Sequence, residues 1–350
     1  MSATAHDAEA HAPDPSDAAT VAAAAATAAI GRDVVLAGAP RRLTLGFGEG
    51  AFACRLADVL EPLWSGPLVV RLGSADALEA EFAWHRWAEG RGFPTPRALA
   101  FWPGPPAGLV LADPGLEPSI ERMASDFAAI PTIIGSLGRL QARLHSEPAT
   151  AAPGPVLDWS AALDRLDARL AAAGPVAGEP ALTRQRAWLG AHDPGPVVPV
   201  PCHGAFSPLN VHLDRTDASA ALVAAWGEAA LSDREYDLAS THLALWSSPY
   251  VAPDRSHRRL LKMARAAVIA GYDTGYRAAG AGADDARLAS WGAYHACAFS
   301  VTTALAPVPE VEENGWKPAD LVKVRAGYRR DLAKRFDVLA AEADRSGGPS

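Results

Sequence analysis

Strand-like and helix-like segments are segregated along this chain, and that order restricts its fold more than any other feature. Between residues 41 and 113, five short β-patterned runs (42–47, 52–59, 67–73, 97–102 and 108–113) are separated by turns bearing Gly or Pro, as antiparallel hairpins require. One helical pattern interrupts them from Asp76 to Gly90, where Leu78, Phe82, Trp84, His85 and Trp87 mix with Glu79, Glu81, Arg86 and Glu89 at near-helical spacing. The turn Ala112-Asp113-Pro114-Gly115 ends this texture. Seven helical stretches follow, at 125–146, 158–173, 182–191, 233–247, 255–278, 287–304 and 318–343. Strands first and helices afterwards predict an α+β chain, a small antiparallel sheet lobe ahead of a larger helical lobe.

The 350 residues, 49% of them hydrophobic, suffice for one large core or two modest ones. Forty acidic against thirty-two basic residues give a net charge of −8, which argues against a broad cationic surface, so neither nucleic acid nor a membrane is an expected partner. No window approaches the roughly 18 uninterrupted apolar residues of a membrane span. Cys54, Cys202 and Cys297 are widely separated, so no disulfide framework or cysteine zinc cluster is expected, and a reducing cytoplasm fits. The first 36 residues are alanine-rich with no Arg or Lys before Arg32; they lack the positive start of a secretory leader and read as a disordered or loosely helical tail. The expected organisation is therefore tail 1–36, sheet lobe 37–114, helical lobe 115–346 and tail 347–350.

Inside the helical half lies one β-turn island, residues 201–214 followed by 221–226, whose polar turn is flanked by strand-like pairs. Chemistry belongs there, on a loop held at both ends. No G-x-S-x-G elbow, Walker A, H-E-x-x-H or complete G-x-G-x-x-G string occurs, which removes the commonest hydrolase, P-loop, zincin and dinucleotide readings. Gly46, Gly48 and Gly50 permit a tight hairpin that serves either to cover phosphates or simply to turn the chain, and Glu49 at its tip would repel phosphate. Only four lysines are present (Lys262, Lys317, Lys323 and Lys334), so the sheet lobe relies on arginine alone.

Element order and local strings together resemble the aminoglycoside phosphotransferase and choline kinase-like family, a branch of the protein-kinase-like fold. The strings are Gly46-Phe47-Gly48-Glu49-Gly50 between two strands, Arg71 on the third strand, Glu81 on the helix, and Pro94-Thr95-Pro96 before the fourth strand. The helix ending at His145, the loop His203–Asn210 and the run from Ala224 to Ala239 complete the set, so the resemblance covers roughly residues 40 to 340. It implies a two-lobed kinase-like fold, ATP as cofactor, and a catalytic loop H-G-D-x-x-x-x-N in which Asp deprotonates the acceptor and Asn helps to hold magnesium. Here that loop reads His203-Gly204-Ala205-Phe206-Ser207-Pro208-Leu209-Asn210; the base position is Ala205. The family's magnesium-binding Asp precedes a Trp, with a Y-D-L-A string beyond. Here Ala225 precedes Trp226, and Asp237 falls eleven residues later within Tyr236-Asp237-Leu238-Ala239. Both carboxylates are replaced by methyl groups.

Arg71 and Glu81 stand where the family pairs a phosphate-contacting cation with a helix carboxylate; an ordinary strand-to-helix ion pair is the equal alternative. Glu228, three positions past Ala225, is the candidate substitute metal ligand, with a solvated loop charge as its simpler role. His203 reads as a structural histidine before a catalyst, Asp237 as an anchor for the loop, and Trp84, Trp87, Trp226 and Trp246 as core aromatics. The expectation is a pseudokinase-like protein that binds nucleotide, a small ligand or a protein partner in the inter-lobe cleft, with Mg²⁺ binding weakened. The alternatives are an ATP-dependent small-molecule kinase with an unusual metal site, and a scaffold that binds no nucleotide.

Overall fold

The computed structural model describes residues 14–43, 50–113, 115–214, 221–250, 255–306 and 317–346. Along the chain run α1 (Pro15–Ile30), β1 (Arg41–Arg42), β2 (Ala51–Arg55), β3 (Pro67–Leu72), α2 (Ala75–Gly90), β4 (Ala98–Trp102), β5 (Gly108–Ala112) and β6 (Glu117–Pro118). Then come α3 (Ser119–Ser125), α4 (Ile130–Ser146), α5 (Trp159–Ala172), α6 (Pro180–Ala191), β7 (Val200–Cys202), β8 (Val211–Leu213), β9 (Ala221–Val223) and β10 (Ala230–Ser232). Helices α7 (Arg234–Ser247), α8 (Arg255–Ala278), α9 (Asp285–Leu305) and α10 (Pro318–Ser346) close the chain. They form two compact units, one through Pro118 with His212–Gly227 added, the other Ser119–Val211 with the chain from Glu228 onward.

The first unit is built on a sheet of order β1-β2-β3-β5-β4, antiparallel at every pairing. Its strands alternate cleanly. Leu68 and Val70 of β3 join Phe52 and Val110 on one face, while Val69 joins Ala51, Leu109 and Leu111 on the other, where Leu78 of α2 and Ala224 pack. The first face is covered by α1, so the expected tail over residues 1–36 is corrected for residues 15–30. Asp14 caps this helix by accepting the Ser16 N–H at 2.7 Å, Pro15 opens it, and Gly31 at φ 78° closes it. Ala18, Val21, Ala22, Ala25 and Ala26 lie buried at helical spacing. An uninterrupted alanine run has no apolar–polar contrast, which is why the stripe does not stand out in the sequence.

The expected boundaries 37–114 and 115–346 are also corrected. The chain leaves the helical unit at His212 and pairs β8 with β6, Glu117 opposite Leu213 and Pro118 opposite His212, before β9 completes a three-stranded sheet. The first unit is thus discontinuous in sequence.

The helical unit has its own core, in which Trp159, Leu166, Trp291, Tyr294 and Phe336 are buried together. Strand β7 pairs antiparallel with β10, Cys202 opposite Ala230. The helix expected over 125–146 is broken: Asp126 accepts the N–H groups of Ala128 and Ala129, starting a 3₁₀ turn at Phe127–Ala129 ahead of α4. Among the described residues no helix is long and apolar enough to cross a membrane.

Candidate functional site

In the helical unit, β7 hands the chain to the loop 203–210, and the first turn of α7 supplies the group that shapes it. Asp237 accepts the His203 N–H at 3.0 Å and the Gly204 N–H at 2.7 Å. The Gly204 carbonyl in turn accepts the Ser240 hydroxyl at 2.8 Å. His145, at the end of α4, holds Asp237 from behind: its Nε2 lies 3.0 Å from Oδ2 and its Nδ1 2.7 Å from the Tyr276 hydroxyl. Burial alone would raise the Asp237 carboxyl, but the hydrogen bond and charge of His145, with His203 and Gln141, hold it below the usual range. Gly204 sits at φ 76°, and a Cβ there would lie 2.1 Å from the Glu228 carbonyl. Only glycine fits this crossing.

Ala205 is carried on this hydrogen-bonded scaffold. Its N–H donates to His203 Nδ1 at 3.3 Å, and its carbonyl accepts the Asn210 amide N–H at 2.9 Å. His203 is buried and spends Nδ1 on the loop. Glu228, the expected substitute ligand, has another partner. Both its oxygens lie 3.0 Å from one nitrogen of Arg169 on α5, with the carboxylate about half exposed. Half-exposed and paired across to α5, it stands as the solvated loop charge expected as its simpler role, with Arg169 as a partner that expectation did not name.

One buried trio among the described residues, His145, Cys202 and Asp237, has potential ligand atoms within 4.8 Å of one another. All are already engaged. Asp237 and His145 bond as described, and the Cys202 thiol faces the Asp233 carbonyl at 3.3 Å, with burial pushing its pKa far up. This is a hydrogen-bonded knot rather than a metal centre.

In the sheet unit, Arg71 on β3 and Glu81 on α2 form a buried ion pair. Burial raises the Glu81 carboxyl; His85 and Arg71 more than offset this and hold it below its ordinary value. His85 Nδ1 lies 2.9 Å from the Thr95 hydroxyl and 3.1 Å from the Pro96 carbonyl, while Nε2 lies 3.8 Å from Glu81. Arg71 Nε, Glu81 Oε1 and His85 Nε2 are all buried without a hydrogen bond. The segment after β9 leans on this group: a Cβ at Gly227 would meet Glu81 at 3.3 Å. Trp226, fully buried, donates to Thr95 at 3.0 Å and to the Val223 carbonyl at 2.9 Å, and stacks on Trp84. Ala225 is thereby fixed at φ 63°. Gly50 turns at φ 70°, whereas Gly46 and Gly48 lie outside the described residues.

The divalent-ion donors expected from the sequence are thus accounted for position by position. Ala225 offers a methyl group, Glu228 is bound to Arg169, and Asn210 has one amide oxygen free of hydrogen bonds. Within the helical unit this leaves one neutral amide oxygen not otherwise engaged, where a hard divalent cation takes one or more carboxylates.

Sequence reasoning missed a cavity of about 440 Å³ in the helical unit. Ala205, Ser207, Leu209 and Asn210 form one wall, and residues of α7, α9 and α10 form most of the rest, with Ile120 of α3 and the turn Ser248–Tyr250 beside them. Those helices contribute Ala244, Phe299, Thr302, Val324, Arg325 and Tyr328, scattered over 85 positions with no local string to announce them. Arg169 gave no signal either, being one of several charged residues along α5 that nothing local sets apart.

The model of the family described as "Phosphotransferase enzyme family" matches residues 61–291. No curated protein matches significantly. Among solved structures, a putative aminoglycoside phosphotransferase from Ralstonia eutropha aligns with TM-score 0.59 at 15% identity, covering 92% of this chain and 98% of that one. Choline kinase LicA from Streptococcus pneumoniae aligns with TM-score 0.55 at 10% identity, over 91% and 98%. Amicoumacin kinase hAmiN, solved with AMP-PNP, Ca²⁺ and Ami, aligns with TM-score 0.54 at 12% identity, over 83% and 88%. These likenesses establish the protein-kinase-like two-lobed α+β fold.

Proposed function

This chain belongs to the phosphotransferase enzyme family, and we propose that it is a degenerate member, a pseudokinase-like protein that binds ligand while transferring little or no phosphoryl group. One observation carries the reading: hydrogen bonds made by Asp237, Ser240 and Asn210 hold the loop 203–210 in place, yet it presents a methyl group at Ala205 where the resemblance assigns a base. Loss of a positioned base costs about 10²- to 10⁴-fold in rate. Loss of the metal carboxylate at Ala225 weighs more, because phosphoryl transfer depends chiefly on positioning and on neutralising charge. Glu228 is held by Arg169 and does not make good the loss.

Nucleotide is the ligand the family would share with this chain. Amicoumacin kinase, alike in fold, is seen with AMP-PNP, and Arg71 carries the one cationic group that the resemblance assigns to phosphate. Its guanidinium is committed to Glu81 with Nε left over, so binding of ATP is expected to be weak and insensitive to magnesium.

Calorimetric titration with ATP, with and without Mg²⁺, and transfer of labelled γ-phosphate to a metabolite pool test this reading. The unaltered chain should transfer nothing above background. Ala205→Asp combined with Ala225→Asp should create Mg²⁺-dependent turnover, at least 10²-fold above either single variant. Steady transfer by the unaltered chain would overturn the proposal.

A further inference from the structure

We propose that the cavity beside Ala205 receives an uncharged, ring-bearing alcohol rather than a polycationic amino sugar; this rests on reading the chain as a ligand-binding pseudokinase. At about 440 Å³ the cavity falls within the roughly 300–1,000 Å³ of small-molecule sites. Its wall holds no carboxylate among the described residues, and the one charged side chain there is the cation Arg325, which donates to the Ala306 carbonyl at 2.6 Å. A multiply charged ammonium compound would shed water here without finding a carboxylate among the described lining residues. Leu209, Phe299, Leu321 and Val324 offer apolar surface. Tyr250 and Tyr328, with ring centroids 4.7 Å apart, supply flat faces against which a ring packs.

The polar groups sort into spent and free. Ser247 and Tyr328 share a hydrogen bond of 2.7 Å, Ser240 is bonded to the Gly204 carbonyl, and Thr303 to the Phe299 carbonyl. Ser207, Ser248 and Thr302 also line the cavity, and among the described residues their hydroxyls have no hydrogen-bond partner. Three neutral groups that both donate and accept complement hydroxyls on a ligand. The Ala205 methyl then faces the ligand where the family would place a base, so a bound alcohol is held without being deprotonated.

The test uses the full chain without nucleotide, titrated with 2-naphthalenemethanol and followed by the probe's fluorescence, with kanamycin as the polycationic probe. Saturable binding of the naphthyl alcohol that kanamycin does not displace is expected. Ala244→Trp, which fills the cavity from α7, should weaken it at least tenfold with an unchanged melting temperature. Should that variant not fold, Val324→Trp makes the same test from α10. Thr302→Val should weaken binding two- to tenfold through loss of one hydroxyl. Displacement by kanamycin, or undiminished binding in a folded cavity-filled variant, overturns the proposal. The two readings fail separately. Phosphorylation of the bound alcohol would sink the pseudokinase reading and leave the ligand class standing, whereas kanamycin binding without transfer would do the reverse.

Discussion

At position 225 an alanine holds a left-handed backbone conformation, φ 63°, that costs an L residue about 1–2 kcal/mol and that Asp or Asn adopts more readily. It cannot relax. Trp226 on one side is fixed by two hydrogen bonds and its stack on Trp84, and Gly227 beyond it lies against Glu81. Ala225→Gly removes the steric cost and returns part of it as unfolded-state entropy, for a net gain of about 0.5–1 kcal/mol. Ala225→Val, branched at Cβ, should lose about 2 kcal/mol or more. Urea unfolding followed by tryptophan fluorescence reads both; a stabilising Val or a destabilising Gly would show that the turn is not strained. Ala205 and Ala225 draw notice in the sequence because Trp226, Asp237 and the loop 203–210 keep the spacing at which the resemblance would put carboxylates there. The strain at Ala225 was not legible, since backbone conformation leaves no trace in a run of two alanines. The fate of Glu228 was equally hidden, because its partner Arg169 lies 59 positions away on another helix.

Helix α9 shows how an element embedded on all sides sets a pH limit. Twelve of its residues are buried, among them His295, whose Nε2 donates to the Tyr236 carbonyl at 2.9 Å. Burial lowers the His295 pKa from 6.5 to about 4. The unfolded chain therefore binds a proton between those values that the folded chain refuses. Stability is complete above about pH 6.5 and falls as pH drops toward 4, by about 3 kcal/mol in all. His295→Gln, which keeps a donor for Tyr236 and cannot protonate, should flatten this slope; an unchanged pH profile of unfolding between 4 and 6.5 would refute it. The strands β2 to β5 and helices α2 and α5 to α10 lie close to their sequence patterns, since period-2 and period-3.6 runs there are bounded by Gly, Pro or Asp. Elements that depend on distant partners did not. Strand β6 has only two residues and exists because β8 returns to it, and the Asp126 cap divides what periodicity joins into one helix.

For the molecule as a whole, the N-terminal helix decides whether the sheet-bearing unit has a complete core. One buried cluster takes Ala18, Val21, Ala22, Ala25 and Ala26 from α1 and Phe52, Leu68, Val70 and Val110 from the sheet, so without the helix one sheet face would be bare. Gly108 marks the closest approach: a Cβ there would fall 2.4 Å from a Val21 methyl group. The helical unit has its own core around Trp159 and Trp291 and draws nothing from this cluster. Val21→Asp places an unpartnered carboxylate at a fully buried position and should cost about 3 kcal/mol or more, confined to one unit. Hydrogen exchange distinguishes a core helix from a loosely attached tail. Amide protection should collapse in β3 and β5 while α4 and α9 keep theirs, because sub-global opening follows the cooperative unit that has lost its packing. Protection of β3 equal to that of the unaltered chain would mean that the sheet closes its core without α1.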